Sequence, residues 1–203
     1  MNKIKIIAGL LLFVSIIALT NCKKKVKGCT NASATNYNSS ATEDDGSCIY
    51  SKKIGDTFEG GIVFYVDASG LHGLVAAPSD QSNSKTWLNS LVMATNATDA
   101  AIGKGQSNTT LIVATYGSGS YAAQVCNDLN LNGKSDWYLP SKDELSLMYS
   151  NLQSKSIGNF AFARYWSSTE VNVDDAFCVE FNSGAVSQTN KISSISVRAV
   201  RSF

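Results

Sequence analysis

"DWYLPSKDELSLMY", residues 136–149, decides how the rest of this chain is read. It gathers a Ser–Lys pair, acids and aromatics into one short run, and so invites an active-site reading. Helical geometry removes that reading. Ser141 and Lys142 are sequence neighbours, and neighbours on a helix point about 100° apart, so Lys142 cannot serve Ser141 as a base. Asp143 and Glu144 are adjacent for the same reason and cannot face each other across a substrate. An architectural reading uses nearly every residue. Pro140 keeps Leu139 extended, Ser141 is an N-cap, and Glu144 three residues on completes a capping box. Asp143 and Glu144 complement the helix dipole. Leu145, Met148, Tyr149 and Leu152 then recur at helical spacing on one apolar face, which predicts a helix over 141–152.

Upstream, "GSYAAQVCNDLNLNG" repeats the pattern, with Ala122, Val125, Cys126 and Leu129 on one face and Gly133 as the stop. "SNTTLIVATY" reads as a helix opened by Ser107, and a short helix is expected around 86–94 in an otherwise loop-rich stretch. "IVFYV" (62–66), the turn 67–70 and "HGLVAA" (72–77) form a hairpin signal. Downstream, "RYWSSTE" (164–170), "AFCVEF" (176–181), "AVSQTN" (185–190) and "ISVRAVRSF" (195–203) alternate as antiparallel strands. Helices together with antiparallel strands make the expected fold class α+β.

The 203 residues begin with Lys3 and Lys5 and a nearly pure apolar run from Ile6 to Leu19. That run is shorter than the about 20 residues a membrane span needs, and it fits a secretory signal. Its end, "ALTNC", resembles a lipobox, with Asn21 where Gly, Ala or Ser is usual. Residues 1–22 are therefore read as a lipoprotein signal with Cys22 lipidated; the alternative is a conventional signal peptide cut nearby. The expected location is the outer membrane, facing the periplasm or the surface, with "KKKVK" as a tether near anionic headgroups. Six of the 17 basic residues precede Gly28 and no acid does, which leaves 11 basic against 16 acidic residues beyond it. A body of net charge −5 excludes a nucleic-acid partner.

With Cys22 assigned to lipid, four of the five cysteines remain. Cys29 and Cys48 bracket a polar, core-poor segment within 23–53 that needs a staple, worth about 3 kcal/mol in the chain-entropy view. Cys126 and Cys178 are the other candidate pair, in a larger domain over 54–203, provided the helix bearing Cys126 covers the sheet face of Cys178. Inside the small segment, which resembles a Cys-bounded module of secreted proteins of Gram-negative bacteria, Asn36, Asn38, Asp44 and Asp45 offer oxygens to Ca²⁺. The other reading of these four is Asx turns capped by their own side chains.

"GGIVFYVD", "HGLVAAPSDQS", "IGKGQSNT", "AAQVC", "DWYLPSKDEL", "YWSSTE" and "VRAVRSF" occur in this order in one bacterial family. The chain resembles, over roughly 54–203, the Lcl C-terminal domain of collagen-like adhesins, close to the fibrobacter-type major paralogous domain. The resemblance implies a C-type-lectin-like fold: a twisted antiparallel sheet with two main helices, long loops and termini close together. It also implies an exported protein that binds an extracellular polymer, polysaccharide or protein, in adhesion. The Glu-Pro-Asn, Gln-Pro-Asp and Trp-Asn-Asp motifs of Ca²⁺-dependent lectins are absent.

No P-loop, nucleophile elbow or dinucleotide fingerprint occurs in a strand–turn–helix context, and the single histidine, His72, has no nucleophile or second histidine beside it. The expectation is a non-enzymatic protein without a cofactor. Trp87, in the loop-rich stretch, is a candidate for stacking on a sugar ring, or else a loop anchor. Glu170, Asp174 and Asp175 are a candidate acidic ligand cluster, or else a solvated loop. Arg164, Lys191, Arg198 and Arg201 could form a basic patch, though strand alternation does not place them on one face. The rival expectation is a structural envelope or assembly protein with no small ligand.

Overall fold

A computed structural model describes residues 24–203, and Cys22 with its preceding segment lies outside them. The chain divides into a smaller unit ending at Cys48 and a larger one, Ile49–Phe203. The boundary precedes the expected one at residue 53, because Lys52 already donates its amide to Gly70 O of the larger unit at 2.9 Å.

In the smaller unit two short parallel strands, β1 (Lys27–Gly28) and β2 (Glu43–Asp44), pair. The Cys29–Cys48 disulfide closes the segment as expected.

The larger unit is α+β and carries two sheets rather than one. β3 (Thr57–Phe58), β4 (Gly61–Val66) and β5 (Gly73–Ala76) form an antiparallel sheet that ends on β11 (Val200–Ser202), in the order β11-β5-β4-β3. β6 (Ser82–Lys85), β7 (Arg164–Glu170), β8 (Asp175–Glu180), β9 (Val186–Asn190) and β10 (Ile195–Val197) form the other, in the order β6-β10-β7-β8-β9. Its β10–β7 pair is parallel and the rest antiparallel. The expected continuous last strand is thus broken in two. The chain leaves one sheet after Val197 and joins the other at Val200, turning at Arg198 and Ala199. First and last strands share a sheet, and the Phe58 and Phe203 rings meet edge to face at 5.1 Å.

Three helices, two of them long, cover the sheets: α1 (Gly105–Tyr116), α2 (Ala122–Asn127) and α3 (Lys142–Asn151), followed by a 3₁₀ turn at Gln153–Lys155. The helix α3 begins as read. Ser141 Oγ accepts the Glu144 amide at 3.3 Å, and Glu144 Oε2 accepts the Ser141 amide at 2.8 Å. Leu145, Met148 and Leu152 are buried, each stabilising the fold by about 1.5–3 kcal/mol. The box also reaches outward: Glu144 Oε1 accepts the Gly103 amide at 2.7 Å, and Ser141 Oγ donates to Ala101 O at 2.9 Å. The α1 start is thereby drawn onto the α3 start so closely that a Cβ on Gly105 would sit 2.4 Å from Glu144 Oε2.

Three local expectations are corrected. The α1 helix begins at Gly105, two residues early, and Ser107 Oγ donates back to Lys104 O at 2.9 Å instead of capping. The α2 helix ends at Asn127, and Gly133 is not its stop. Asn132 (φ 52°) and Gly133 (φ 72°) instead form a two-residue turn closed by mutual Leu131–Lys134 backbone bonds of 3.0 Å, the left-handed pair that Asn-Gly favours. Residues 86–94 form no helix; Trp87 is tied by its amide to Lys191 O at 2.9 Å.

The buried residues form two clusters. One contains Trp87, Trp137, Trp166, Cys126 and Cys178; the other contains Phe64, Tyr138, the α3 face, Tyr165 and Phe181. Tyr165 and Trp166 are consecutive on β7 and enter different clusters, so this strand is buried on both faces.

Candidate functional site

The residues that looked most like a binding cluster serve the interior. Glu170 is at the end of β7, and Lys191 follows β9. Their side chains are 3% and 0% exposed and meet at 2.5 Å. Lys191 Nζ also donates to Val173 O at 2.9 Å and lies 4.7 Å from the centre of a Trp87 ring. The Glu170 carboxylate accepts the amides of Thr95 and Asn96. Buried charges persist when paired and hydrogen-bonded in this way. Trp87, fully buried, donates Nε1 to Ser167 O at 2.8 Å. It is a loop anchor and offers no face to a sugar. Asp174 and Asp175 belong to a turn in which Asn172 Oδ1 accepts both their amides at 2.8 Å. Glu170 points inward and Asp174 is exposed, so the acidic cluster is not assembled.

The other expected sites also resolve into architecture. Asn38, Asp44 and Asp45 each accept the amide two residues on at 3.0 Å, and Asn36 Nδ2 donates to Ser47 O at 2.6 Å. Three of the oxygens expected to hold Ca²⁺, those of Asn38, Asp44 and Asp45, therefore close Asx turns. Hydrogen bonds from Ser47 hold the Asp45 carboxyl below its usual range. Among the described residues no group of three or more His, Cys, Asp or Glu is arranged to hold a metal. Cys126 and Cys178 are free and buried. The expected second bridge is not formed: Cys178 Sγ faces the hydroxyls of Ser187 (3.1 Å) and Thr189 (3.2 Å) on β9.

The basic patch is dismantled likewise. Arg201 takes Asp136 with two nitrogens, at 2.7 and 2.9 Å, and also pairs with Glu59. Arg198, 1% exposed, donates Nε to Asp80 Oδ1 at 2.6 Å. Of the four cations only Arg164 is exposed.

Arg198 leads to a surface that sequence reading passed over. Its Nη1 donates to Gly158 O (3.0 Å) and Ala77 O (2.8 Å), its Nη2 to Asn159 O (3.3 Å), and its guanidinium lies 4.1 Å from the Phe160 ring centre. Tyr165 OH donates to Asp80 Oδ2 at 2.8 Å and accepts the Ala161 amide at 2.9 Å. The Phe181 amide donates to Ala163 O at 2.8 Å. The loop 156–163 is thus pinned at successive residues, with Ser156 (φ 58°) and Asn159 (φ 49°) held in the left-handed region. Near its end, two residues before β7, Phe162 stands 81% exposed.

Two clefts adjoin Phe162. One, of about 310 Å³, is lined by Phe162, Ala163, Arg164, Glu180 and Asn182. The other, of about 180 Å³, is lined by Gln153, Ser156, Asn159, Phe160 and Phe162. Arg164 and Glu180 are direct cross-strand partners of β7 and β8. An exposed aromatic ring supplies apolar contact area, and the polar groups beside it can fix a ligand's orientation. The run "NFAFAR" gave no signal for this, because alternation would put Phe160 and Phe162 on one face. The loop instead buries the first and exposes the second.

Residues 77–201, more than half of the chain, match the Lcl C-terminal domain. The chain belongs to the Lcl C-terminal domain family. Asp80, Arg198, the pinned loop and both clefts lie inside the matched span, while β3, β4 and β5 precede it in the same unit. The fold is similar to that of a solved fimbrial protein from Bacteroides ovatus ATCC 8483, with 18% identity and a TM-score of 0.50. That likeness covers 76% of this chain and 46% of the other, so this chain spans less than half the fimbrial protein's length. No curated protein matches the chain.

Proposed function

We propose that this Lcl C-terminal domain protein is a non-enzymatic cell-envelope lipoprotein of adhesion type. A lectin-like domain binds an extracellular or envelope polymer through the face around Phe162. The observation that carries the reading is a large apolar ring, 81% exposed, on a loop whose backbone is pinned by buried groups. A rigid aromatic presented to solvent loses little freedom on binding and makes an effective anchor. Family membership supports the envelope setting. Anchoring rests on Cys22 and the segment before it.

The test is attachment of the purified full chain to envelope fragments and immobilised polymers, with Phe162→Ala beside it. Attachment that falls with Phe162→Ala supports the reading. Attachment unchanged in that variant takes binding away from this face, and attachment to no polymer favours a structural envelope protein. Fatty-acid labelling lost in Cys22→Ala supports the anchor, and labelling that persists rules out that site.

A further inference from the structure

Granting that the Phe162 face binds a polymer, we infer that its ligand is an uncharged polysaccharide chain lying across both clefts, with one pyranose ring stacked on Phe162. Three observations on the larger unit point to this class.

The first is the distribution of charge. A sulfated or otherwise polyanionic chain needs clustered, accessible cations, and its binding is driven by screened electrostatics. The cations of β10, β11 and the β9 end are withdrawn: Lys191 is buried against Glu170, Arg198 against Asp80, and Arg201 between Asp136 and Glu59. Within the clefts the one cation, Arg164, stands directly across from the one anion, Glu180. Arg164 is further committed through Nη1 to Thr189 Oγ1 at 3.2 Å. The Glu180 carboxylate repels a sulfate placed there.

The second is the chemistry of the remaining walls. Gln153, Ser156, Asn159 and Asn182 are uncharged and carry both donors and acceptors. Sugar hydroxyls are donors and acceptors at once, and the C–H face of a pyranose is apolar. The alternation of amide, hydroxyl and aromatic ring therefore suits a neutral glycan.

The third is the shape. Phe162 is a wall of both clefts, so a ligand that fills both must pass over its ring. The volumes, about 310 and 180 Å³, lie at or below the lower end of pockets that enclose a compact ligand of about 300–1,000 Å³. They suit short stretches of a continuous chain on either side of the aromatic.

The experiment is affinity electrophoresis of the full chain in gels containing laminarin, dextran or mannan as neutral polysaccharides, polygalacturonate as a uronate, and heparin as a sulfated chain. A neutral-glycan array widens the first group, and envelope protein fractions are assayed in parallel. The expected result is retardation by at least one neutral polysaccharide, little changed between about 50 and about 500 mM salt. Phe162→Ala should weaken it about tenfold or more, and Phe162→Tyr should retain it. Retardation by heparin alone that salt reverses, or no binding to any neutral glycan on the array, overturns the inference. If Phe162→Ala then abolishes binding to heparin or to a protein fraction, the adhesive face stands and only its ligand class is wrong. If Phe162→Ala changes nothing for any polymer, the adhesive reading of this face falls as well.

Discussion

Arg198 and Asp80 meet at 2.6 Å in the interior of the larger unit, where the chain crosses from the five-stranded to the four-stranded sheet. That pair also holds the exposed loop. Arg198 spends its other nitrogens on the carbonyls of Gly158 and Asn159, and Asp80 takes the hydroxyl of Tyr165, which in turn accepts the Ala161 amide.

Arg198→Ala should therefore destabilise the protein by about 3–5 kcal/mol, because it leaves Asp80 and several carbonyls without their partner. Arg198→Lys should recover little, since an ammonium cannot reproduce the guanidinium fork. Denaturant unfolding measures the loss. Amide exchange should show loop 156–163 loosened first in Arg198→Lys; protection there equal to the wild type would contradict the proposed pinning.

Lys191→Met should cost a similar amount, about 3–5 kcal/mol, by stranding the Glu170 charge. The double variant Glu170→Gln/Lys191→Met should lose less than the sum of the two single changes, with a coupling of about 0.5–3 kcal/mol. A double-mutant cycle in urea reads this directly, and strict additivity would mean that the two side chains do not depend on each other.

Glu144, bonded to backbone amides, and the pair Asp136 and Glu59, bonded to Arg201, give opposite pH dependences. Burial pushes Glu144 above its ordinary value, against the pull of the Ser141, Gly103 and Gly105 amides. Its folded state binds the proton more tightly, so its stabilising contribution is complete below about pH 4.3 and is lost as pH rises through the raised folded value. Glu144→Gln should flatten that part of the stability profile. Asp136 and Glu59 are held below their usual range, chiefly by hydrogen bonds from Arg201. Their contribution is present above about pH 4 and fades as pH falls through the lowered folded values. Arg201→Met should remove that acid-side loss, as followed by thermal unfolding from neutral pH downward.

Cys126 and Cys178 should behave as inert core thiols. Burial pushes the Cys126 thiol up, away from the reactive thiolate. In a Cys22→Ser chain an aromatic disulfide reagent should find no reactive thiol in the folded protein and two after denaturation, matching the two free cysteines. A linked peptide containing both residues in a non-reducing digest would refute their free state.

Much of the framework was legible in the sequence because it depends on contacts near in the chain. The capping box at Ser141 and Glu144, the α3 apolar face, the Arg164–Glu170 strand and the Cys29–Cys48 staple follow from spacing, side-chain length and loop closure. Even local signals misled where two principles competed: Gly133 reads equally as a helix stop or as the second half of an Asn-Gly turn, and the turn won because Leu131 and Lys134 could pair.

The fate of the charged and aromatic side chains was decided only by the tertiary structure. Nothing near Trp87, Glu170 or Lys191 in the chain tells that the three meet, because they come from segments far apart brought together by sheet pairing. The break between Val197 and Val200 turns Arg198 inward onto Asp80, 118 residues away. That buried contact fixes which of two phenylalanines, Phe160 or Phe162, is left facing water. Sequence spacing determines periodic faces within an element. Which face is covered, and which charge finds a partner, is set by elements that meet only when the chain has folded.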